Sequence, residues 1–182
     1  MQPMDKGSSG MTRQARYEAL VRAWHRDLYR YAYWLAKDPH IAEDLVQETC
    51  LRAWRSLDSL QDDKAAKAWL ITILRRENAR RFERKQFDHV DVDDGELEDK
   101  TRPSEEASME QRWLHRQIAA LSPEYREPLV LQVIAGFSGD EIAQILDLNK
   151  NTVMTRLFRA RAQLKEALDT TATSGGQQYG RS

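Results

Sequence analysis

The sequence predicts an all-α protein made of two small helical domains joined by a flexible acidic linker. Apolar residues recur at spacings of three and four over several long segments, and no segment alternates apolar and polar residues as a strand would. An acid-rich segment without helical periodicity divides the chain. With 182 residues, 41% of them hydrophobic, the chain can bury one or two small cores. We therefore place the domains at residues 12–86 and 108–168, with the linker at residues 87–107.

The first domain is predicted to contain three helices. An amphipathic pattern runs over residues 12–37. The pair Asp38-Pro39 is typical of a helix cap followed by the first helical position, so a second helix should run to about Arg55. After a break at residues 57–63, a third helix is expected at about residues 64–85. It is apolar in its first half and rich in arginine in its second half.

The second domain is predicted to start with two helices. Helical periodicity resumes at about residues 104–108. The pair Ser122-Pro123 is typical of the start of another helix, which should end before Gly136.

A helix-turn-helix is predicted at residues 138–161. Ser138 with Glu141 three residues later forms a capping-box pattern, so a short helix begins there and stops near Asp147. Asn149 is the expected cap of the second helix. The apolar face of that helix carries Val153, Leu157, Ala160 and Leu164.

The opposite face of this second helix carries polar and planar side chains, which is what reading base edges in a major groove requires. These residues are Asn151, Thr152, Thr155, Phe158 and Arg159. The alternative is that the cations of this helix only keep a surface helix in solution. No acid interrupts the run from Lys150 to Lys165, which favours a nucleic-acid contact.

Charge is distributed unevenly, although the net charge is only −1. Residues 75–85 carry a net +4, residues 88–110 carry a net −8, and residues 150–165 contain five cations and no acid. Charge clusters in many soluble proteins. Two basic segments separated by an acidic linker nevertheless favour two tethered nucleic-acid contacts.

Both ends of the chain are expected to lie outside the domains. Residues 1–11 lack a hydrophobic signal core and contain Gly7-Ser8-Ser9-Gly10, which is typical of a disordered leader. Residues 169–182 are small and polar with two adjacent glycines, so a disordered tail is expected.

Several classes of protein and site are disfavoured. No apolar run approaches the roughly 18 residues of a membrane span, so no membrane insertion is expected. The single cysteine, Cys50, can form neither an internal disulfide nor a metal knuckle, which fits a reducing cytoplasm. The four histidines are scattered, so we expect no metal site and no cofactor. No nucleophile-base set, paired carboxylates or glycine-rich phosphate loop appears, which argues against an enzyme.

Two motifs together resemble those of one family. The segment that resembles region 2.2 of bacterial sigma factors reads Ala42-Glu43-Asp44-Leu45-Val46-Gln47-Glu48-Thr49-Cys50-Leu51-Arg52-Ala53-Trp54. Residues 138–161 resemble region 4.2, and the two occur in the right order. With an acidic connector and no segment resembling regions 1.1 or 3, the chain is similar to an extracytoplasmic-function (ECF) sigma factor of the sigma-70 family over about residues 12–168.

The resemblance implies a specificity subunit that directs core RNA polymerase to −35 and −10 promoter elements and assists initiation. Its implied partners are the β′ clamp and β flap of core polymerase, promoter DNA and an anti-sigma factor. The outward face of the second helix would bind core polymerase through Asp44, Gln47, Glu48, Leu51 and Trp54. The −10 element would be contacted by Arg75, Arg76, Arg80 and Arg81. The −35 element would be contacted by Asn151, Thr152, Met154, Thr155, Phe158 and Arg159.

The chain departs from the family pattern at several of these positions. Members often have Asn where Arg76 stands and Asp where Arg80 stands. They commonly have Gly in place of Asn151 and a cation in place of Met154. The −10 and −35 preferences are therefore expected to be unusual.

Two alternatives remain at the level of sequence. The chain could be a stand-alone helix-turn-helix transcriptional regulator whose N-terminal domain senses a signal or dimerises. Within the second helix, Leu51 and Trp54 could fill the local core instead of anchoring a partner.

Overall fold

The computed structural model describes residues 11–88 and 108–175. Within these ranges every regular element is a helix, so the predicted all-α class is confirmed. The chain forms two compact units whose boundary falls within residues 89–107. The predicted leader up to Gly10, most of the predicted linker and residues 176–182 lie outside the described residues.

The first unit contains three long helices, as predicted. They are α1 (Arg13–Ala36), α2 (Pro39–Arg55) and α3 (Ala66–Asp88). Two single-turn 3₁₀ helices, Leu57–Ser59 and Asp63–Ala65, occupy the break between α2 and α3.

Local capping explains where α1 and α2 begin and end. The Thr12 hydroxyl accepts a hydrogen bond from the Ala15 amide at 3.1 Å, which starts α1. Lys37 ends it in the left-handed conformation with φ of 54°. The Asp38 carboxylate then accepts hydrogen bonds from the amides of His40 and Ile41 at 2.8 and 3.1 Å, which starts α2 with Pro39 at its first position.

All three helices contribute to the core of the first unit. The largest fully buried side chains in it are Leu28, Tyr31, Thr49, Leu57, Leu70, Ile71 and Leu74. Thr49 is accommodated there because its hydroxyl donates a hydrogen bond to the Leu45 carbonyl at 2.7 Å.

The connection between α2 and α3 is tied to α1. Leu57, Leu60 and Ala66 pack with Leu20 in a buried cluster. The Arg16 guanidinium donates to the Leu60 carbonyl at 2.6 Å and to the Asp63 carboxylate at 2.8 Å. The segment therefore has a defined conformation although it lacks a long helix.

Helix α3 extends past the predicted boundary at residue 86, since it ends at Asp88. Residues 79–86 contain no glycine or proline and include alanine, arginine, glutamate, lysine and glutamine, all of which have high helix propensity. The sequence predicts a linker from Phe87, and α3 covers Phe87 and Asp88 as well.

The second unit contains four helices in the described residues. They are α4 (Met109–Ala120), α5 (Pro123–Val133), α6 (Gly139–Leu146) and α7 (Lys150–Gly175). A capping box of Ser108 with Gln111 starts α4. The core residues of this unit are Ile118, Leu121, Leu129, Val130, Leu131, Phe137, Ile142, Ile145, Val153, Leu157 and Ala160.

The sequence predicts a disordered tail at residues 169–182, whereas α7 continues to Gly175. Extending a helix that is already formed costs little, and no glycine or proline intervenes before Gly175. Hydroxyl groups in this stretch donate to carbonyls four residues earlier, as Thr170 does to Glu166 and Thr173 does to Asp169, both at 2.9 Å.

None of the helices in the described ranges combines the length and the apolar character that crossing a bilayer needs.

Candidate functional site

The helix-turn-helix predicted at residues 138–161 is present, with the predicted caps. The Ser138 hydroxyl accepts from the Glu141 amide at 3.3 Å, and the Glu141 carboxylate accepts from the Ser138 amide at 3.1 Å. Asp147 takes the left-handed conformation with φ of 53° and ends α6. The Asn149 side chain accepts from the Asn151 amide at 2.7 Å and starts α7.

Helix α7 has one buried and one exposed face over its first three turns. Val153, Leu157 and Ala160 are fully buried, and Leu164 is half-buried. Six residues of α7 are predicted to contact the −35 element: Asn151, Thr152, Met154, Thr155, Phe158 and Arg159. All of them are exposed except Thr152, which is half-buried.

The cations of α7 differ in what they contact. Lys150 forms an exposed ion pair with Asp140 at 3.1 Å, and Arg161 donates to the Gln132 side chain of α5. Within residues 108–175, Arg159 makes no ion pair and is exposed on the same face as Thr155. Arg159 is therefore available to an anionic partner, whereas Arg161 is engaged with α5.

A groove of about 400 Å³ runs along the exposed face of α7. It is lined by Glu124 and Tyr125 at the start of α5 and by Asn151, Thr152, Thr155, Arg156 and Arg159 of α7. The groove is therefore formed by two helices. The sequence does not predict that Glu124 and Tyr125 line it, because spacing along α7 gives no information on which other helix lies beside it.

The outward face of α2 mixes polar side chains with an exposed leucine. Asp44 and Gln47 are exposed, and Leu51 is 53% exposed. Glu48 is half-buried and forms an ion pair with Arg52 at 3.4 Å. A leucine exposed to this extent and rimmed by polar groups is typical of a contact surface.

Trp54 was expected to be an exposed anchor on this face, but it is half-buried against α1. Its ring lies edge-on to Tyr17 at 5.1 Å, and the Arg13 guanidinium lies 4.2 Å from the ring centroid. Trp54 therefore packs on α1, whereas the Leu51 side chain is exposed.

Cys50 lies beside this aromatic contact. Its carbonyl accepts a hydrogen bond from the Tyr17 hydroxyl at 2.9 Å. Burial raises the pKa of the Cys50 thiol, and the contact with Tyr17 opposes that shift in part.

The four arginines predicted to contact the −10 element are not equally accessible. Arg76 and Arg80 are exposed, whereas Arg75 and Arg81 are half-buried. The Arg81 guanidinium lies 4.8 Å from the Phe82 ring centroid and donates to the Asn78 side chain at 3.3 Å. Burial lowers the pKa of Arg81, and the Asp38 carboxylate opposes this shift.

A buried carboxylate connects α2 with α3. Glu77 is only 5% exposed; its carboxylate forms an ion pair with Arg80 at 3.1 Å and another with Arg52 of α2. Sequence reasoning counted Glu77 only as a charge. The signal was available, since the spacing of Leu70, Leu74 and Glu77 places all three on the inward face.

A second groove, of about 200 Å³, lies where the end of α2 meets α3. Four arginines line it, together with Ser56, Ile73 and Glu77. The arginines are Arg52, Arg55, Arg76 and Arg80. A groove with this lining suits phosphate groups and a single unpaired base.

Comparison with known proteins matches both units to one family. The family described as Sigma-70 region 2 matches residues 20–87, and Sigma-70, region 4 matches residues 111–164. The ECF RNA polymerase sigma factor EcfG of Rhodopseudomonas palustris (strain TIE-1) is 32% identical over 142 residues, which is 78% of each chain. The chain belongs to the ECF sigma factors of the sigma-70 family.

Other relatives of this sigma factor agree with that assignment. The ECF RNA polymerase sigma factor SigL of Mycobacterium tuberculosis (strain H37Rv) is 32% identical over 158 residues, covering 82% of this chain and 89% of SigL. The function implied by the motifs is thereby confirmed: this sigma factor directs core RNA polymerase to promoters and assists initiation. The comparisons do not support the stand-alone regulator.

Two solved structures resemble this sigma factor in fold as well as in sequence. RpoE, solved in complex with the anti-sigma factor NepR from Bartonella quintana, gives a TM-score of 0.67 at 28% identity and covers 85% of this chain and 97% of its own. CnrH, solved in complex with the cytosolic domain of CnrY, gives a TM-score of 0.64 at 27% identity and covers 86% of this chain and 90% of its own.

The family matches fall on the two units described above. Region 2 corresponds to most of α1 and to α2 and α3, and region 4 covers α4 to the middle of α7. The extension of α7 beyond residue 164 lies outside the match. Sigma factors are non-catalytic factors of transcription initiation.

Proposed function

We propose that this sigma factor binds the β′ clamp of core RNA polymerase through the outward face of α2. Leu51 supports this assignment, because a leucine 53% exposed beside Asp44 and Gln47 supplies an apolar anchor inside a polar rim. Trp54 packs on Tyr17 and Arg13 of α1, and these contacts hold the end of α2 in position. Glu48 and its ion pair with Arg52 lie on the same helix.

The groove between α2 and α3 contacts the −10 element in this proposal. Arg76 and Arg80 line this groove, which is large enough to hold a base flipped out of the duplex. The segment at residues 57–65 lies next to the groove, and hydrogen bonds from Arg16 hold that segment in place. Arg75 and Arg81 are half-buried, so they contribute more to the positive electrostatic potential of α3 than to direct contacts with DNA. Strand opening needs such a site, because an unpaired base must be held while the duplex is separated.

The exposed face of α7 reads the −35 element, and this face is the observation that carries the proposal. The second helix of a helix-turn-helix enters the major groove with its N-terminal residues towards the bases. Here that stretch has a fully buried inner face and an outer face with an exposed cation, Arg159. In this proposal the second unit also docks on the β flap of core polymerase.

Two further assignments complete the proposal. The sigma factor has no catalytic activity of its own and acts in the cytoplasm, where polymerase and promoter DNA are found. An anti-sigma factor holds it inactive, which is supported by RpoE and CnrH, the two similar structures, since RpoE was solved with an anti-sigma factor and CnrH with the cytosolic domain of CnrY.

Run-off transcription with purified core polymerase and a promoter library tests the function. The chain should yield discrete transcripts, and Leu51→Ala should lower their amount by weakening binding to core polymerase. Leu168→Ala is the matched control, because Leu168 is equally exposed but lies on the α7 extension. Equal effects of the two variants would remove α2 from the polymerase interface, and an absence of transcripts would refute the function.

A further inference from the structure

Two large apolar side chains lie on the exposed face of α7. Met154 is 47% exposed and Phe158 is 73% exposed. They are four residues apart, so their β-carbons lie about 5–6 Å from each other on one face of the helix. The core of the unit does not use them, because Val153, Leu157 and Ala160 fill the inner face of the same turns.

The end of the Met154 side chain lies against the first turn of α6. A β-carbon added to Gly139, in the first turn of α6, would lie 3.0 Å from Met154 Sδ. Glycine at this position therefore leaves the space that the thioether occupies. A side chain that is already packed on one side loses less conformational freedom when a ligand covers its other side.

The surroundings of this apolar pair select its occupant. The segment from Lys150 to Lys165 contains five cations and no acid, and Arg159 lies next to Phe158 on the exposed face. A polyanion is therefore the partner of complementary charge. In the major groove of DNA the apolar group on a base edge is the 5-methyl group of thymine.

We propose that Met154 and Phe158 contact thymine 5-methyl groups in the −35 element, so that this sigma factor prefers thymine at one or two base pairs there. The inference rests on the proposed assignment of α7 to the −35 element. It also gives a physical role to Met154, an apolar side chain that is exposed on a helix rich in cations.

Replacing thymine by uracil tests the inference, because uracil lacks only the methyl group. The probe is a promoter selected by the holoenzyme from a library randomised across the −35 window. Each thymidine of the selected element is then exchanged for deoxyuridine, one at a time. Loss of one buried methyl contact should weaken holoenzyme binding about fourfold at one or two positions.

Variants assign the effect to the two side chains. Met154→Ala and Phe158→Ala should each abolish the uracil penalty at one position, whereas Met154→Leu should keep it. Arg159→Ala should weaken binding to the thymine and uracil probes alike. Leu168→Ala, an exposed apolar residue elsewhere on α7, should change neither. Circular dichroism melting of each variant checks that the unit remains folded.

The outcomes separate this inference from the function on which it rests. If an element is selected and depends on Arg159, but uracil is tolerated at every position, the inference is wrong and the function stands. A uracil penalty that persists in the double alanine variant also overturns it. If no element is enriched, or if Arg159→Ala has no effect on the selected one, the assignment of α7 to the −35 element fails, and the inference fails with it.

Discussion

The buried carboxylate of Glu77 provides a direct test of how the first unit is held together. Its ion pairs join α2 to α3 through Arg52 and extend to Arg80. Glu77→Gln keeps the shape of the side chain and removes its charge. The Arg52 guanidinium, on a side chain that is 33% exposed, would then be partly desolvated beside a neutral amide.

The magnitude follows from the burial of the partners. Removing one member of a fully buried ion pair costs about 3–5 kcal/mol, whereas an exposed pair contributes about 0–1 kcal/mol. Here the carboxylate is buried while both guanidinium groups are partly solvated, so we expect a loss of about 2 kcal/mol. In urea this corresponds to a midpoint lowered by about 1–2 M for a unit of this size.

Tryptophan fluorescence is the appropriate assay, because four of the five tryptophans lie in the first unit. Glu83→Gln is the matched control on an exposed position of α3. Replacing the pair by apolar residues, Glu77→Leu with Arg52→Met, should recover most of the loss. If Glu77→Gln unfolds at the same urea concentration as the unchanged protein, the ion pairs do not stabilise the packing of α2 on α3.

Three further outcomes are expected. Trp54→Ala should lower the stability of the first unit by about 2 kcal/mol in urea unfolding, since the ring packs on Tyr17, whereas Leu51→Ala should leave stability unchanged; equal losses would contradict the different burial of the two side chains. Ser138→Ala should destabilise the second unit by about 1 kcal/mol in thermal unfolding monitored by circular dichroism, because the capping box is lost, and an unchanged melting curve would count against that cap. The raised pKa of Cys50 leaves less thiolate at any pH below it, so iodoacetamide should alkylate the folded protein at pH 7.5 more slowly than the urea-unfolded protein; equal rates, followed by mass spectrometry, would show that burial does not protect the thiol.

Local signals in the sequence predicted the helix boundaries where a specific residue sets them. Asp38-Pro39 and the pair of Ser138 with Glu141 each act within one turn, so their positions could be read directly. The amphipathic spacing of α7 likewise predicted which residues are buried and which are exposed. The family resemblance then supplied the function, which composition alone did not contain.

Contacts between helices could not be predicted in the same way. The position of Trp54 depends on Tyr17 and Arg13, which are far away in sequence, and the groove along the exposed face of α7 depends on where α5 starts relative to that helix. The continuation of α7 to Gly175 was missed for a different reason. Small polar residues have modest helix propensity alone, but they extend a helix that packing has already nucleated.

The central claim is that promoter recognition requires this chain and core polymerase together. Fluorescence anisotropy of a labelled promoter duplex, at physiological salt, measures binding by the chain alone, by core polymerase alone and by both. We expect sequence-specific binding only for the mixture, because a net charge of −1 gives the free chain little attraction to DNA. Equally tight and specific binding by the chain alone would contradict the account.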